Sequence, residues 1–386
     1  MSRWYKIEQY VKRRYLQWLE KIFAKDMLLP SRLDVAGVKR ILVVRQHDML
    51  GDFLLSTPVL RALRQRFLEA HIGVLVREYC ADVARNNPYV DEVLVFYEHG
   101  HNWSWRRLRT LWRQLRSKWD LAVVLNTVSH SATSDWLAHL SGARYILGSE
   151  HHIFPGCTRN FFYNLMAPYT KTLKHQSERN LDIVRYIGAD TNDLSEVMRL
   201  DDVERQAARH KLTSLGLRSS QLVIGMHVGA GKLMNRWPVS RFSKLAQLLH
   251  EEHAATITLF WGPREKNLSE QFCEEVQFQP IKVEPAGLRE LAALFAQCDA
   301  VVCNDTGVMH VCAAVGVPLV AIFGPTDPKE WKPIGDEFVA VRGKDQTMES
   351  ASAEQALAAL TFLLGKKLKR HPHKIAQNLT ESIPSA

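Results

Sequence analysis

The stretch that most constrains this chain is residues 299–331, DAVVCNDTGVMHVCAAVGVPLVAIFGPTDPKEW. It opens on a short β-branched run, Ala300-Val301-Val302-Cys303, with the length and composition of a strand buried on both faces. The polar turn Asn304-Asp305-Thr306-Gly307 follows. Val308, Val311, Cys312 and Val315 then recur at helical spacing until Gly316 and Pro318 end the run. Leu319 to Phe323 reads as a second strand, running into the turn Gly324-Pro325-Thr326-Asp327-Pro328. Strand, polar turn, helix and strand make one βαβ unit, which requires a parallel sheet. In such a sheet ligands sit at the carboxyl ends of the strands, beside a helix N-terminus whose free N–H groups favour an anion. Asp305 to His310 is therefore expected to form one wall of a phosphate or nucleotide site. Taken alone, Asp305-Thr306 also suits an ordinary helix cap, and His310 a satisfied first-turn histidine.

The same alternation runs through most of the chain. Strands are expected at 39–45, 71–76, 93–97, 121–126 and 143–147, and helices over 53–67, 105–118, 127–140 and 177–187. Residues 148–180 carry no clean period and read as a long functional loop. A second alternation adds strands at 222–227, 256–261, 300–303 and 319–323, with helices over 239–252, 265–272 and 288–297. With 386 residues, two α/β domains of ordinary size are expected. The expected division is 1–38, a basic amphipathic helix and linker; 39–205 and 206–365, two doubly wound domains; and 366–386, a loose basic tail.

Residues 3–28 read as a helix with an apolar stripe of Trp4, Ile7, Val11, Tyr15, Trp18, Leu19, Ile22 and Phe23 among lysines and arginines. Such a helix suits an anionic bilayer surface, or simply packing on the protein. The net charge of +9 points to anionic company. No nucleic-acid motif of the common kinds is present, so no nucleic acid is expected as partner. The six cysteines show no C-x-x-C pair and no zinc-like spacing, which fits a reducing compartment and gives no metal site. The N-terminus does not read as a secretory signal, and no run of eighteen apolar residues suggests a membrane span.

Three further groups attract attention. Asp52 follows the first strand in the turn His47-Asp48-Met49-Leu50-Gly51-Asp52, where it can act as a general base or cap a helix. Gly229-Ala230-Gly231-Lys232-Leu233-Met234-Asn235-Arg236-Trp237-Pro238 follows a strand. Its glycines let the backbone approach a diphosphate that Lys232 and Arg236 can neutralise, although it lacks the Walker pattern. Glu265, after Trp261-Gly262-Pro263-Arg264, suits the N-terminus of the helix that follows. The other histidines, among them His130, His139, His151, His152 and His175, are expected mostly at the surface.

Asp305-Thr306-Gly307, His310, Ala313-Ala314, Gly316, Pro318, Phe323-Gly324-Pro325-Thr326 and Trp331 together resemble the C-terminal signature of the ADP-heptose glycosyltransferases, glycosyltransferase family nine. Gly51-Asp52 and a glycine-rich loop ending in Trp237-Pro238 resemble that family too. Asn235 stands where the family pattern has lysine. The resemblance spans about residues 41–331. It implies a GT-B fold, two Rossmann-like domains facing a central cleft. It also implies an enzyme that transfers heptose from ADP-L-glycero-D-manno-heptose to a sugar hydroxyl of the lipopolysaccharide inner core. A single displacement with inversion is expected; with no Asp-x-Asp motif at a strand end and cationic side chains able to replace a divalent ion, no metal and no cofactor are expected. Asp52 would be the base, and Lys232, Arg236, Glu265, Asp305, Thr306, Gly307 and His310 would hold the donor. The acceptor residues are not identified by it. The expected location is the cytoplasmic face of the inner membrane, and deletion of residues 1–28 is expected to release the protein from anionic vesicles. The alternatives are a sugar-nucleotide epimerase on the same scaffold, or a nucleotide-sugar-binding protein without transferase activity.

Overall fold

The computed structural model describes residues 3–47, 49–98, 102–151, 153–218, 221–284 and 287–370, without the side chains of 3–7, 9 and 367–370. Asp48, His152, the side chains of Trp4 and Ile7, and the tail from 371 onward lie outside the described residues. Two compact units are present, Met1–Leu194 and Ser195–Ala386.

The first unit begins with α1 (Arg3–Phe23), β1 (Arg40–Arg45), α2 (Leu50–Leu54), α3 (Thr57–Arg66), β2 (His71–Arg77) and α4 (Glu78–Ala84). It continues through β3 (Glu92–Phe96), α5 (Trp105–Leu115), β4 (Leu121–Val124), α6 (Ala132–Leu140), β5 (Tyr145–Ser149), β6 (Leu165–Ala167) and α7 (Gln176–Arg185). The strands form one sheet in the order β3-β2-β1-β4-β5-β6, every neighbouring pair parallel. Its central strands are buried along almost their whole length, as Ile41-Leu42-Val43-Val44 and Leu121-Ala122-Val123-Val124 require when helices cover both faces. The single helix expected over 53–67 is two. Pro58, in the first turn of α3, has no N–H to continue the preceding helix, and the chain re-enters the helix after Ser56. Residues 148–180 contain an edge strand, β6, and the start of α7, so that segment is more ordered than a loop. Helix α4 was not expected; its length of seven residues gives little periodic signal.

Helix α1 does pack on the protein. Leu16 and Leu19 join the core, Phe23 packs among Trp136, His139 and Phe162, and the chain that follows bonds to the 161–164 backbone at Lys25 and Leu28. The described histidines of this unit that were expected mostly at the surface, His130, His139, His151 and His175, are half-buried. His130 is paired with Asp135 at 2.6 Å with its side chain 5% exposed, and His151 stacks on Tyr169.

The second unit runs through α8 (Asp202–Ser214), β7 (Val223–His227), α9 (Val239–His253), β8 (Thr256–Phe260), α10 (Lys266–Glu275), β9 (Ile281–Val283) and α11 (Leu288–Phe295). After these come β10 (Ala300–Asn304), α12 (Gly307–Ala314), β11 (Leu319–Phe323), α13 (Pro328–Trp331), β12 (Phe338–Arg342) and α14 (Ala353–Arg370). Its sheet, β12-β11-β10-β7-β8-β9, is again wholly parallel. In both sheets the first strand of the unit lies beside the fourth, so the order reverses at β1/β4 and at β7/β10. These are the switch points where a doubly wound sheet opens a crevice at its carboxyl edge. Together the units have the two-domain, parallel-sheet architecture of the GT-B class. The edge strand β12 and the helix α14 escaped the sequence reading, and α14 carries the chain to Arg370 as helix where a loose tail was expected from 366. All six cysteines are free thiols.

Candidate active site

In the second unit, the loop after β7 and the turn after β10 are joined by one buried amide. Asn304, at the end of β10, donates through Nδ2 to the carbonyls of Val228 and Gly229 at 3.2 and 2.9 Å. Its Oδ1 accepts the Trp237 N–H at 2.9 Å. Both ends of the glycine-rich loop are thereby fixed. The fully buried Trp237 indole adds a third tie, donating from Nε1 to the Ala351 carbonyl at 3.0 Å. Within this frame Asn235 donates to both the backbone carbonyl and the carboxylate of Asp305, each at 3.1 Å. The Thr326 hydroxyl donates to the same carboxylate oxygen. Burial raises the Asp305 pKa above its usual range, against the opposing pull of the Thr326 hydrogen bond and the charges of His310 and Lys232.

Thr306 occupies the N-cap position of α12 with an extended backbone, but its hydroxyl makes no capping bond. Gly307 opens the helix, half-exposed like Thr306. His310 lies in the first turn, buried, with Nδ1 2.8 Å from the Glu196 carboxylate. Glu196 is itself buried, and its Oε2 has no hydrogen-bond partner among the described residues. This pairing ties the first residues of the second unit, which runs from Ser195, to α12. The segment lies along α12, where Met198 also donates its N–H to the Ala314 carbonyl at 3.0 Å.

Glu265 packs on two glycines. A Cβ at Gly229 would lie 1.7 Å from its Oε2, and one at Gly262 would lie 2.7 Å away. Its carboxylate accepts the Gly262 N–H at 2.8 Å and faces the Arg236 guanidinium at 3.6 Å. Arg236 also donates to the Ala230 carbonyl at 3.0 Å. Arg236 is thus held inside the loop, whereas Lys232 is exposed and Gly231 faces open space. At the end of β7 the His227 imidazole is buried, and desolvation lowers its pKa, partly offset by the Glu265 charge.

In the first unit Asp52 sits in the first turn of α2, half-buried, at the carboxyl end of β1, with its Oδ2 accepting the Met49 N–H at 3.0 Å. The capping geometry and the position at the sheet edge coexist. Beneath it Arg45, 2% exposed, donates to the carbonyls of Leu125 and Asp52 at 2.6 and 3.3 Å and to Asn180 Oδ1 at 3.4 Å. Asn180 donates in turn to the Leu55 carbonyl at 3.1 Å, and Gln46 donates to Ser131 and Ser134 at 3.3 and 3.2 Å. The turns after β1 and β4 are therefore locked to each other around Asp52. His47 and Met49 are exposed. The sequence reading assigns no role to Arg45, Gln46, Asn180, Asn304 or Glu196. The available signal was a polar residue closing an apolar strand, which Arg45-Gln46 and Asn304 both give.

Within the second unit the structure brings Lys232, Asp305, Thr306, Gly307 and His310 together at one switch point, with Arg236 and Glu265 paired beside them. Asp52 occupies the corresponding edge of the first unit. Residues 108–360 match the family model described as glycosyltransferase family 9 (heptosyltransferase). The chain belongs to that family. A lipooligosaccharide heptosyltransferase 2 of Haemophilus influenzae is 26% identical, the match covering 82% of this chain and 97% of the relative. A glycosyltransferase family 9 structure from Veillonella parvula superposes with a TM-score of 0.74 at 25% identity, covering 85% of this chain and 97% of that one. The E. coli heptosyltransferase WaaC, solved with ADP, shares the fold at a TM-score of 0.67 and 20% identity, covering 84% and 98%. The chain described here is therefore a glycosyltransferase of the heptosyltransferase family.

Proposed function

We propose that this glycosyltransferase moves heptose from ADP-L-glycero-D-manno-heptose to a sugar hydroxyl of the lipopolysaccharide inner core, in one displacement with inversion at the anomeric carbon. The observation that carries the reading is the Lys232–Asp305–His310 grouping beside an uncapped helix N-terminus, chemistry suited to a diphosphate. A related fold solved with ADP agrees with that choice of nucleotide.

In this scheme Asp52 accepts the acceptor hydroxyl proton as the oxygen bonds to the anomeric carbon. The bond from that carbon to the diphosphate oxygen breaks on the opposite face, and ADP departs. Charge developing on the diphosphate is met by the N–H groups of α12, by His310 and by Lys232, so the step is written without a metal ion or cofactor. Lys232 takes the electrostatic role in preference to Arg236, whose guanidinium is engaged by Glu265 and Ala230. Glu265 is assigned the ribose hydroxyls, with Arg236 setting its orientation. The acceptor is lipid-anchored, so the enzyme works on the cytoplasmic face of the inner membrane, against an anionic surface.

The test is incubation with ADP-heptose and a panel of truncated core acceptors, read by mass spectrometry for one added heptose. Asp52→Asn should lower kcat by about 10²- to 10⁴-fold with ADP affinity unchanged. Asn235, standing where the family pattern has lysine, favours one competing reading, a nucleotide-sugar-binding protein without transfer. That reading is upheld if ADP binds by calorimetry while no acceptor in the panel gains a heptose.

A further inference from the structure

Helices α1, α5 and α6 form a single layer on one face of the first sheet. Leu16 and Leu19 of α1, Leu111 and Leu115 of α5, and Leu137 and Ala138 of α6 belong to one buried cluster with Leu42 and Val44 of β1. The apolar stripe of α1 therefore splits in two. Leu16, Leu19 and Phe23 point inward, and Leu16 was not counted in the stripe read from sequence. Val11, Tyr15, Trp18 and Ile22, spaced four, three and four residues apart, are 59, 54, 55 and 52% exposed. Tyr15 stacks on Trp18 across that outer face.

Helix α5 repeats the arrangement. It buries Leu111 and Leu115 and exposes Trp105, Leu108 and Trp112, with Trp103 just ahead of it. Around these stand Arg106, Arg107, Arg109 and Arg113, and the residues from 102 to 119 contain six cations and no acid. On α1 the exposed Lys12, Arg13, Arg14 and Lys21 flank the stripe; Glu8 is an exposed acid at its start, and the carboxylate of Glu20 is taken up by Thr158.

We infer that the outer faces of α1 and α5 together are the surface by which this chain lies on an anionic bilayer. Two features select this occupant. Tryptophan and tyrosine beside lysine and arginine are the side chains that settle at headgroup depth, and the local charge is nearly all positive, complementary to acidic lipid. Among the described residues no helix is long and apolar enough to cross a membrane, so contact through these two faces would be peripheral. Because α5 follows β3 and runs back toward the start of β4, its Trp105 end lies toward the sheet edge that carries Asp52. The inference rests on the proposed lipid-anchored acceptor only for its purpose; the binding itself is read without any substrate.

Deleting residues 1–28 is not a clean test, because it would also remove Leu16, Leu19 and Phe23 from the core. The full chain is instead sedimented with vesicles of phosphatidylcholine, alone or mixed with phosphatidylglycerol. Binding is expected only to the mixed vesicles and is lost at high salt. Replacing Val11, Tyr15, Trp18 and Ile22 by Ser, or Trp105 and Trp112 by Ser, should each weaken it at least ten-fold, and the two sets together should abolish it. Transfer to a soluble truncated acceptor should change less than about two-fold, and circular dichroism should stay that of the parent. The inference is overturned if the parent ignores the mixed vesicles, if the combined variant still binds them, or if the substitutions instead dissociate a dimer seen by light scattering. Vesicle binding without transfer activity would count against the proposed reaction and leave this surface standing.

Discussion

Asn235 spans Asp305 with one amide, donating to its main-chain carbonyl and to its carboxylate at 3.1 Å each. At this position the family pattern has a lysine, so a neutral donor holds a carboxylate that burial already pushes toward its protonated form. Asn235→Ala leaves that carboxylate short of a donor, a loss of about 1–2 kcal/mol. ADP affinity measured by calorimetry should then fall roughly five- to thirty-fold. Asn235→Lys supplies a cation beside the proposed diphosphate and should tighten ADP binding. Equal affinities in all three proteins would mean that this contact has no part in holding the nucleotide.

Among the described residues Glu196 reaches the proposed site through His310. Glu196→Gln keeps a hydrogen-bonding group of the same shape, while Glu196→Ala leaves the buried imidazole without that acceptor. Hydrogen bonds to charged groups contribute about 1.5–3 kcal/mol, so the alanine variant should raise KM for the donor roughly ten- to hundred-fold. The glutamine variant should fall between it and the parent. KM values in the reverse order would remove Glu196 from the positioning of His310.

Two glycines of one loop should respond oppositely. At Gly229 a methyl group collides with the Glu265 carboxylate, whereas at Gly231 it meets nothing within 4 Å. Gly229→Ala should displace Glu265 and destabilise the fold by about 1–3 kcal/mol in urea titration. Gly231→Ala should be silent to within about 0.5 kcal/mol. Equal midpoints for the two variants would contradict the packing described.

Buried His227 makes stability depend on pH. Its native pKa is lowered, so the unfolded imidazole takes up a proton first, near its ordinary value of about 6.5. The stabilisation is present above that pH and is lost as pH falls through the native value. His227→Gln should flatten this part of the thermal-midpoint curve between about pH 7.5 and 5. A variant with the parent's slope would show that another group titrates.

The parts of the fold that sequence made legible were those with an uninterrupted pattern. The run from Ala300 to Phe323 gave its strands and helix nearly to the residue, because a buried strand and a helix with a Gly-x-Pro stop leave few alternatives. The short β9, the edge strand β12 and α4 escaped, since three to seven residues are too few to show a period. Candidate residues carried by a motif could be named from the sequence. Those acting across distance could not: nothing in the local sequence says that Glu196 meets a histidine 114 positions away, or that Asn180 reaches Arg45. The outward half of α1 and its inward half also look alike as letters. Only packing tells Trp18 from Leu19.

The bond from the Trp237 indole to the Ala351 carbonyl joins segments 114 residues apart. Through it the approach to the last helix serves as a backstop for the glycine-rich loop. A chain cut short before Ala351 would keep the motifs up to Trp331 and lose the tie that steadies this loop.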